Sequence, residues 1–285
     1  MITRFAPSPT GHLHLGHALA AAAAHETARA MGGHMLLRME DIDTSRVREV
    51  YYGAIEEDLH WLGITWQGTP WRQLDRMAAY QEALNQLQEI DLIYPCFCTR
   101  KEIQAMTSAP QQGDETEALL YPGTCRELSA AEREKNMLIR PGFAWRLHAH
   151  KAAAMIGDAS FDDLRYGSTR IDANLLGDVV LARKDIGVAY HLAVVIDDAV
   201  QNVTHVTRGE DLLSSTHVHC LLQHLLGLVR PLYLHHELVC DHQGKRLAKR
   251  HDALSLRSMR AAGVSADEIM GRLRPLLLRN LAAIL

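Results

Sequence analysis

Three histidines set the first chemical question. His12, His14 and His17 fall within the run Gly11-His12-Leu13-His14-Leu15-Gly16-His17. His14 and His17 are three apart where a helix is expected to begin, so both imidazoles can share one face beside free backbone N–H groups and the positive end of the helix dipole. That setting suits a polyphosphate, and Gly11 and Gly16 would let a nucleotide approach the backbone. The same three rings could instead gather a metal. Far downstream, Gly244-Lys245-Arg246-Leu247-Ala248-Lys249-Arg250 concentrates four cations in an expected loop. It reads either as a clamp for a pyrophosphate or as a solvated basic segment. A third cluster, Cys96-Phe97-Cys98 with Tyr121-Pro122-Gly123-Thr124-Cys125, brings together three thiols and a phenol. Its spacing suggests tetrahedral zinc, while buried free thiols, or a histidine such as His148 completing the set, are the alternatives. Cys220 and Cys240 sit in apolar surroundings and read as core residues.

These groups need elements to hold them. Ile2 to Ala6 reads as a strand, Pro7 to Gly11 as a turn, and Gly16 to Met31 as a helix closed by Gly32-Gly33. Met35 to Met39 follows as a strand and Arg46 to Leu62 as a helix. The alternation predicts an α/β fold with a doubly wound parallel sheet, whose ligands lie beyond the carboxyl ends of the strands. Pro7 to Gly11 and Glu40-Asp41-Ile42-Asp43 would then face one site, with Asp41 and Asp43 mainly structural. Tyr94 to Thr99 and Phe143 to His148 read as strands around the polar stretch Thr107 to Glu117, which suggests an inserted module. α/β character returns from Asp178, with apolar runs at Val179 to Leu181 and Leu192 to Ile196 and a helical pattern through Leu213 to Leu226. Beyond Asp252 the pattern is helical. The boundaries expected are 1–92 and 178–252 for two halves of a catalytic domain, 93–177 for the insertion and 253–285 for terminal helices.

Bulk properties narrow the field. The chain of 285 residues is long enough for a catalytic domain and one smaller module. Its 30 basic and 34 acidic residues give a formal charge of −4, so a nucleic-acid partner would be met by a local basic patch. The most apolar stretch, residues 18–24, falls well short of the roughly 20 residues of a membrane span. Five irregularly spaced cysteines fit a reducing cytoplasm.

With the histidine run and the basic run in this order, the chain resembles the class I aminoacyl-tRNA synthetases of the glutamyl type. His14-Leu15-Gly16-His17 matches the HIGH motif of that family and Arg246-Leu247-Ala248-Lys249-Arg250 its KMSKS motif. The blocks Arg4 to Gly11, Arg38 to Thr44 and His205 to Leu213 resemble the family in the same order, so the likeness runs from about Met1 to Asp252. Arg246 replaces a lysine of the motif, and Ala248 replaces its serine and lacks a hydroxyl that could bond the loop or nucleotide.

The resemblance implies a Rossmann-like catalytic domain with an inserted zinc-containing module and a short helical C-terminus. It implies His14, His17 and Lys249 as catalytic residues, with Gly16 and Arg246 joining them around ATP and its Mg²⁺. For L-glutamate it implies Arg4 and Arg208 on the side-chain carboxylate, Glu40 on the α-ammonium and Ser8 and Tyr190 as further hydrogen-bonding groups, within the segment Arg4, Phe5, Ala6, Pro7 and Ser8. The CxC and YxxxC pattern is similar to that of the glutamyl-queuosine branch, which implies one structural Zn²⁺ on Cys96, Cys98, Tyr121 and Cys125. About 35 residues follow the basic run, whereas a full glutamyl-tRNA synthetase has a large helical anticodon-binding domain there. The expectation is a monomer without membrane association that transfers glutamate to the queuosine at the wobble position of tRNA(Asp). A short enzyme charging tRNA(Glu), and a non-catalytic paralogue, are the alternatives.

Overall fold

The computed structural model describes residues 1–107, 120–185, 187–239 and 255–284. Its first unit is the expected strand, loop and helix: β1 (Ile2–Phe5), α1 (Leu15–Ala30) and β2 (His34–Met39). β1 and β2 pair in parallel from Ile2 opposite His34 to Phe5 opposite Leu37. α1 crosses between them because Ala18, Leu19 and four alanines at 21 to 24 are fully buried, small enough for the helix to lie close on the sheet. α2 (Val50–Trp61) follows, and β3 (Trp71–Arg72) extends the sheet in parallel beside Arg38 and Met39 of β2.

The other half of the parallel arrangement, a second sheet of four strands, comes from distant sequence. β10 (His205–Gly209) pairs in parallel with β11 (Leu232–His236) through the whole of both strands. β11 meets β6 (Ser160–Asp163) at Tyr233 and Asp163, and β7 (Gly167–Arg170) forms an antiparallel hairpin with β6. The halves meet where β10 runs beside β1. Thr204 N donates to Ile2 O at 2.9 Å, and the Arg4 side chain reaches across from β1, its Nη1 donating to Thr207 O at 3.4 Å. From this seam the strand order proceeds one way through β1, β2 and β3 and the other way through β10 and β11, which makes the seam a topological switch point.

A separate antiparallel sheet of order β4-β5-β8-β9 is built from β4 (Ile93–Cys96), β5 (Ala144–Leu147), β8 (Val180–Arg183) and β9 (Gly187–Val188). It therefore takes strands from both sides of residue 178, while β6 and β7 between them return to the parallel sheet. α3 (Met77–Glu89), α4 (Arg100–Thr107), α5 (Ala130–Ile139) and α6 (Ala149–Ile156) lie in the same stretch of chain. α7 (Tyr190–Val200) and α8 (Leu213–Leu225) flank β10, α7 carrying the Leu192 to Ile196 run that the sequence marked as apolar. α9 (Leu256–Ala261) and α10 (Ala266–Ala282) close the fold, α10 placing Ile269, Leu273 and Leu277 in the core that contains α1. Among the described residues no helix is long and apolar enough to cross a membrane.

One boundary differs from expectation. The helix anticipated from Arg46 begins at Val50, because the residues before it are committed elsewhere. Arg46 N closes a turn on Asp43 O at 3.2 Å, and Arg48 N donates to Pro9 O at 3.1 Å.

Candidate active site

The loops after β1 and β2 are tied together where both strands end. The carbonyls of Pro7 and Pro9 accept from Glu40 N at 2.9 Å and Arg48 N at 3.1 Å. Both prolines lack a donor of their own, and the first loop presents acceptors to the second. Asp41 accepts from Tyr52 Oη at 2.7 Å and Leu74 N at 2.9 Å, which gives it the structural task expected of it. Between these loops, the end of β8 and the start of α7 lies a cavity of about 400 Å³ whose lining includes Ser8, Glu40, Asp43, Arg46, Arg183 and Tyr190.

Behind the cavity lies a buried network of charge. Arg4 donates through Nε to Asp198 Oδ1 at 3.0 Å, and Arg38 approaches the same oxygen at 2.8 Å. Arg38 is wholly buried and its Nη2 lies 3.7 Å from Glu40 Oε1. Asp197 accepts from Tyr80 Oη at 2.6 Å and from Arg76 Nε at 3.4 Å. Burial pushes the Glu40 carboxyl up to about 7; Arg38 and Arg4 pull it back, and Asp198 and Asp197 add to the rise. Asp198 is held below the usual range because Arg4 and Arg38 outweigh its burial. Burial raises the Tyr190 phenol, which lies within the electrostatic reach of Arg208, Glu40 and Arg4.

Arg208 is differently surrounded. Only 5% exposed, it donates from Nε to His235 Nε2 at 3.0 Å, from Nη1 to His219 Nδ1 at 2.9 Å and from Nη2 to Thr216 Oγ1 at 2.6 Å. Its Cζ lies 5.3 Å from the centre of the Tyr233 ring.

At the start of α1, His14 is the N-cap and accepts from Gly16 N through Nδ1 at 3.1 Å, while His17 Nδ1 accepts from His14 N at 3.3 Å. The two rings lie 3.8 Å apart, centre to centre. His12 turns away to meet the Tyr51 ring edge-on at 5.1 Å. Among the described residues the three histidines do not bring their donor atoms to one metal-sized point. His14 also forms a bridge with Ser255, just past the basic run, so the chain re-enters the described structure beside the histidine corner. Arg246, Ala248 and Lys249 lie outside the described residues, as does Cys240.

The thiols do converge. The sulfurs of Cys96, Cys98 and Cys125 all lie within 4.8 Å of one another. Cys98 and Cys125 are 3.5 Å apart, and the Tyr121 oxygen is 3.6 Å from Cys98 Sγ. Sulfurs on one tetrahedral zinc are about 3.8 Å apart, given Zn–S bonds of roughly 2.3 Å. Three thiolates and a phenolate are a donor set zinc accepts, so the residues fit the ion. Tyr121 is placed by two contacts: its oxygen accepts from Cys125 N at 2.8 Å, and the Arg146 guanidinium lies 3.9 Å over its ring. His148 is not brought to the cluster; it caps α6, accepting from Lys151 N at 3.3 Å. Cys220 is fully buried, as expected of a core residue.

Of the residues implied for the amino acid, Ser8, Glu40 and Tyr190 line the cavity, Arg4 and Arg208 lie buried, and Phe5 packs into the core with α1. Ala6 and Pro7 contribute backbone to the loop. Asp43, Arg46 and Arg183 line the cavity without having been singled out as ligands. Asp43 and Arg46 carried a signal, since they follow the acidic end of β2. Arg183 carried none, because nothing local shows that β8 reaches this cavity.

A family model described as tRNA synthetases class I (E and Q), catalytic domain, matches residues 1–276. The glutamyl-Q tRNA(Asp) synthetase of Rhodobacter capsulatus is 48% identical over 275 residues, which cover 94% of this chain and 98% of that protein. The enzyme of the same name from Nitratidesulfovibrio vulgaris is 43% identical over 281 residues, covering 95% of this chain and 84% of its own. Among solved structures, the glutamate-tRNA synthetase of Elizabethkingia anophelis superposes with a TM-score of 0.75 at 31% identity. It covers 88% of this chain, which spans 52% of the Elizabethkingia chain.

Proposed function

Because the chain belongs to the class I tRNA synthetases of the E and Q group, and is thus a ligase, we propose that it activates L-glutamate with ATP and transfers it to queuosine in tRNA(Asp). The glutamate α-carboxylate attacks the α-phosphorus of ATP, releasing pyrophosphate and giving glutamyl adenylate. A hydroxyl of the acceptor then attacks the activated carbonyl and AMP leaves. Neither step needs a covalent enzyme nucleophile, so the protein acts by positioning and by charge stabilisation.

The observation that carries the amino-acid reading is the opposition of charge at the seam: Glu40 at the cavity, with Arg208 and Arg4 buried within electrostatic reach of Tyr190. Glutamate has one ammonium and two carboxylates, and this arrangement offers an anion for the first and a cation for the side chain. Glu40 takes the ammonium, Arg208 the side-chain carboxylate with Arg4 supporting, and Ser8 and Tyr190 donate further hydrogen bonds. Phe5, Ala6 and Pro7 supply the adjoining backbone. His14, His17 and Gly16 receive the ATP phosphates at the start of α1, with Arg246, Lys249 and Mg²⁺ completing their neutralisation. Cys96, Cys98, Tyr121 and Cys125 hold a structural Zn²⁺ in the module that meets the tRNA. The queuosine acceptor is supported by the near full-length likeness to the Rhodobacter enzyme, whose name states that activity.

The test has two arms. Glutamate-dependent ATP–pyrophosphate exchange without tRNA reports activation, and its absence would refute the enzymatic reading. Labelled glutamate is then offered to tRNA(Asp) with and without queuosine and to tRNA(Glu). Incorporation only where queuosine is present is expected; charging of tRNA(Glu) in its place overturns the acceptor.

A further inference from the structure

Arg4 and Arg208 have the same residue type and the same burial, but their surroundings differ in charge. Arg4 is paired with the carboxylate of Asp198 at 3.0 Å. Arg208 makes three side-chain hydrogen bonds, all to uncharged acceptors. Among the described residues it has no carboxylate within ion-pair distance. An unpaired buried cation is costly, and the cost is recovered when an anion arrives.

The proton positions follow from the donor inventory. Asp163 Oδ1 accepts from Arg165 N and Tyr166 N at 2.8 and 2.9 Å, and Oδ2 lies 2.6 Å from His235 Nδ1 and 3.1 Å from His235 N. An ionised carboxylate only accepts, so His235 carries its proton on Nδ1 and offers the Nε2 lone pair to Arg208 Nε. A guanidinium only donates, so His219 must be deprotonated at Nδ1 where it meets Nη1. The proton of His219 is then on Nε2, 3.1 Å from His191 Nδ1, which accepts it. Burial lowers all three histidines, with Arg208 adding to the effect, and brings His191 to about 4. Of the five N–H groups of the guanidinium, three are thereby engaged. One remains on each terminal nitrogen, as many as a single carboxylate can take.

We propose that His219 and His235 are positioning residues: neutral acceptors that fix Arg208 without discharging it, leaving its charge and its last two donors for the side-chain carboxylate of the amino acid. The proposal rests on the glutamate reading above. It assigns Arg208 as the primary carboxylate anchor and Arg4, already paired with Asp198, as support.

His219→Leu removes the acceptor at Nη1, whereas His219→Gln keeps an amide oxygen that can accept. Pyrophosphate exchange is measured for both and for the unmodified enzyme, with glutamate and ATP varied separately. His219→Leu is expected to raise KM for glutamate about tenfold or more, leave KM for ATP within about twofold, and be largely rescued by His219→Gln. An unchanged glutamate KM in His219→Leu, or parallel rises in both KM values, overturns the proposal. If the unmodified enzyme shows no glutamate-dependent exchange, the functional reading fails instead. A second measurement does not depend on how the variants fold. ¹⁵N spectra of the histidine-labelled native protein at neutral pH should show His219 neutral with its proton on Nε2 and His235 neutral with its proton on Nδ1. An imidazolium at either position, or the opposite tautomers, refutes the arrangement.

Discussion

At the scale of the residue, Glu40 shows burial winning against charge pairing. Arg38 and Arg4 both favour its ionised form, yet removal from water pushes the carboxyl up to about 7. The proposed role of Glu40 requires its carboxylate form for the substrate ammonium, so glutamate use should improve as pH rises through about 7 and level off above it. Measured by pyrophosphate exchange, kcat/KM for glutamate is expected to rise between about pH 6 and 8. Glu40→Gln should flatten that profile and raise KM for glutamate about tenfold or more, since a charge-assisted hydrogen bond is replaced by a neutral one. A profile unchanged in the variant would remove Glu40 from the amino-acid site. The roles expected of Arg4, Glu40 and Arg208 came from motifs legible in sequence, but the difference in charge around the two arginines did not. Asp198 and the histidines that separate the two arginines in charge lie on α7, α8 and β11, elements other than the strands that carry the arginines.

At the scale of the element, the start of α1 is packed tightly enough to be tested by one methyl group. A Cβ on Gly16 would lie 3.0 Å from His14 Cε1 and 3.2 Å from its Nδ1. Gly16→Ala should therefore turn the His14 ring, lowering kcat for adenylate formation with little change in KM for glutamate. Equal changes in both would place the effect elsewhere. α10 offers the contrasting case of an element that supports and does not react. Its N-cap Ser265 and Glu268 form a reciprocal capping box, and the helix covers the core that holds α1. Ser265→Ala should cost about 1 kcal/mol, read from the urea midpoint, and leave KM for glutamate and ATP unchanged. Helices with a sustained apolar pattern, such as α8 and α10, were visible in sequence, and α10 has a capping box as well. α2 was anticipated too early because the bond from Arg48 N to the carbonyl of Pro9, in the loop after β1, cannot be seen in a local pattern.

At the scale of the molecule, the thiol cluster and the cavity have no lining residue in common. Binding of zinc should therefore be separable from activation. The purified protein is expected to hold one equivalent of zinc, by elemental analysis, and chelation should lower Tm by roughly 5 °C or more. Transfer to tRNA should suffer more than pyrophosphate exchange, and loss of both in step would place the metal's support at the catalytic centre as well. Sequence alone determined the chemistry available: the imidazoles at a helix start, the CxC and YxxxC donors, the strand and loop that begin the parallel sheet, and the family these motifs mark. Such features are local, carried by residue types a few positions apart. Tertiary structure alone decided which of them meet. It set β10 beside β1 across some 200 residues, gave β8 to the antiparallel sheet and Arg183 to the cavity, and directed His12 to the Tyr51 ring and His148 to the cap of α6. It also surrounded Arg208 with neutral acceptors while pairing Arg4 with a carboxylate. Those outcomes depend on burial and on partners distant in the chain, and no local spacing encodes them.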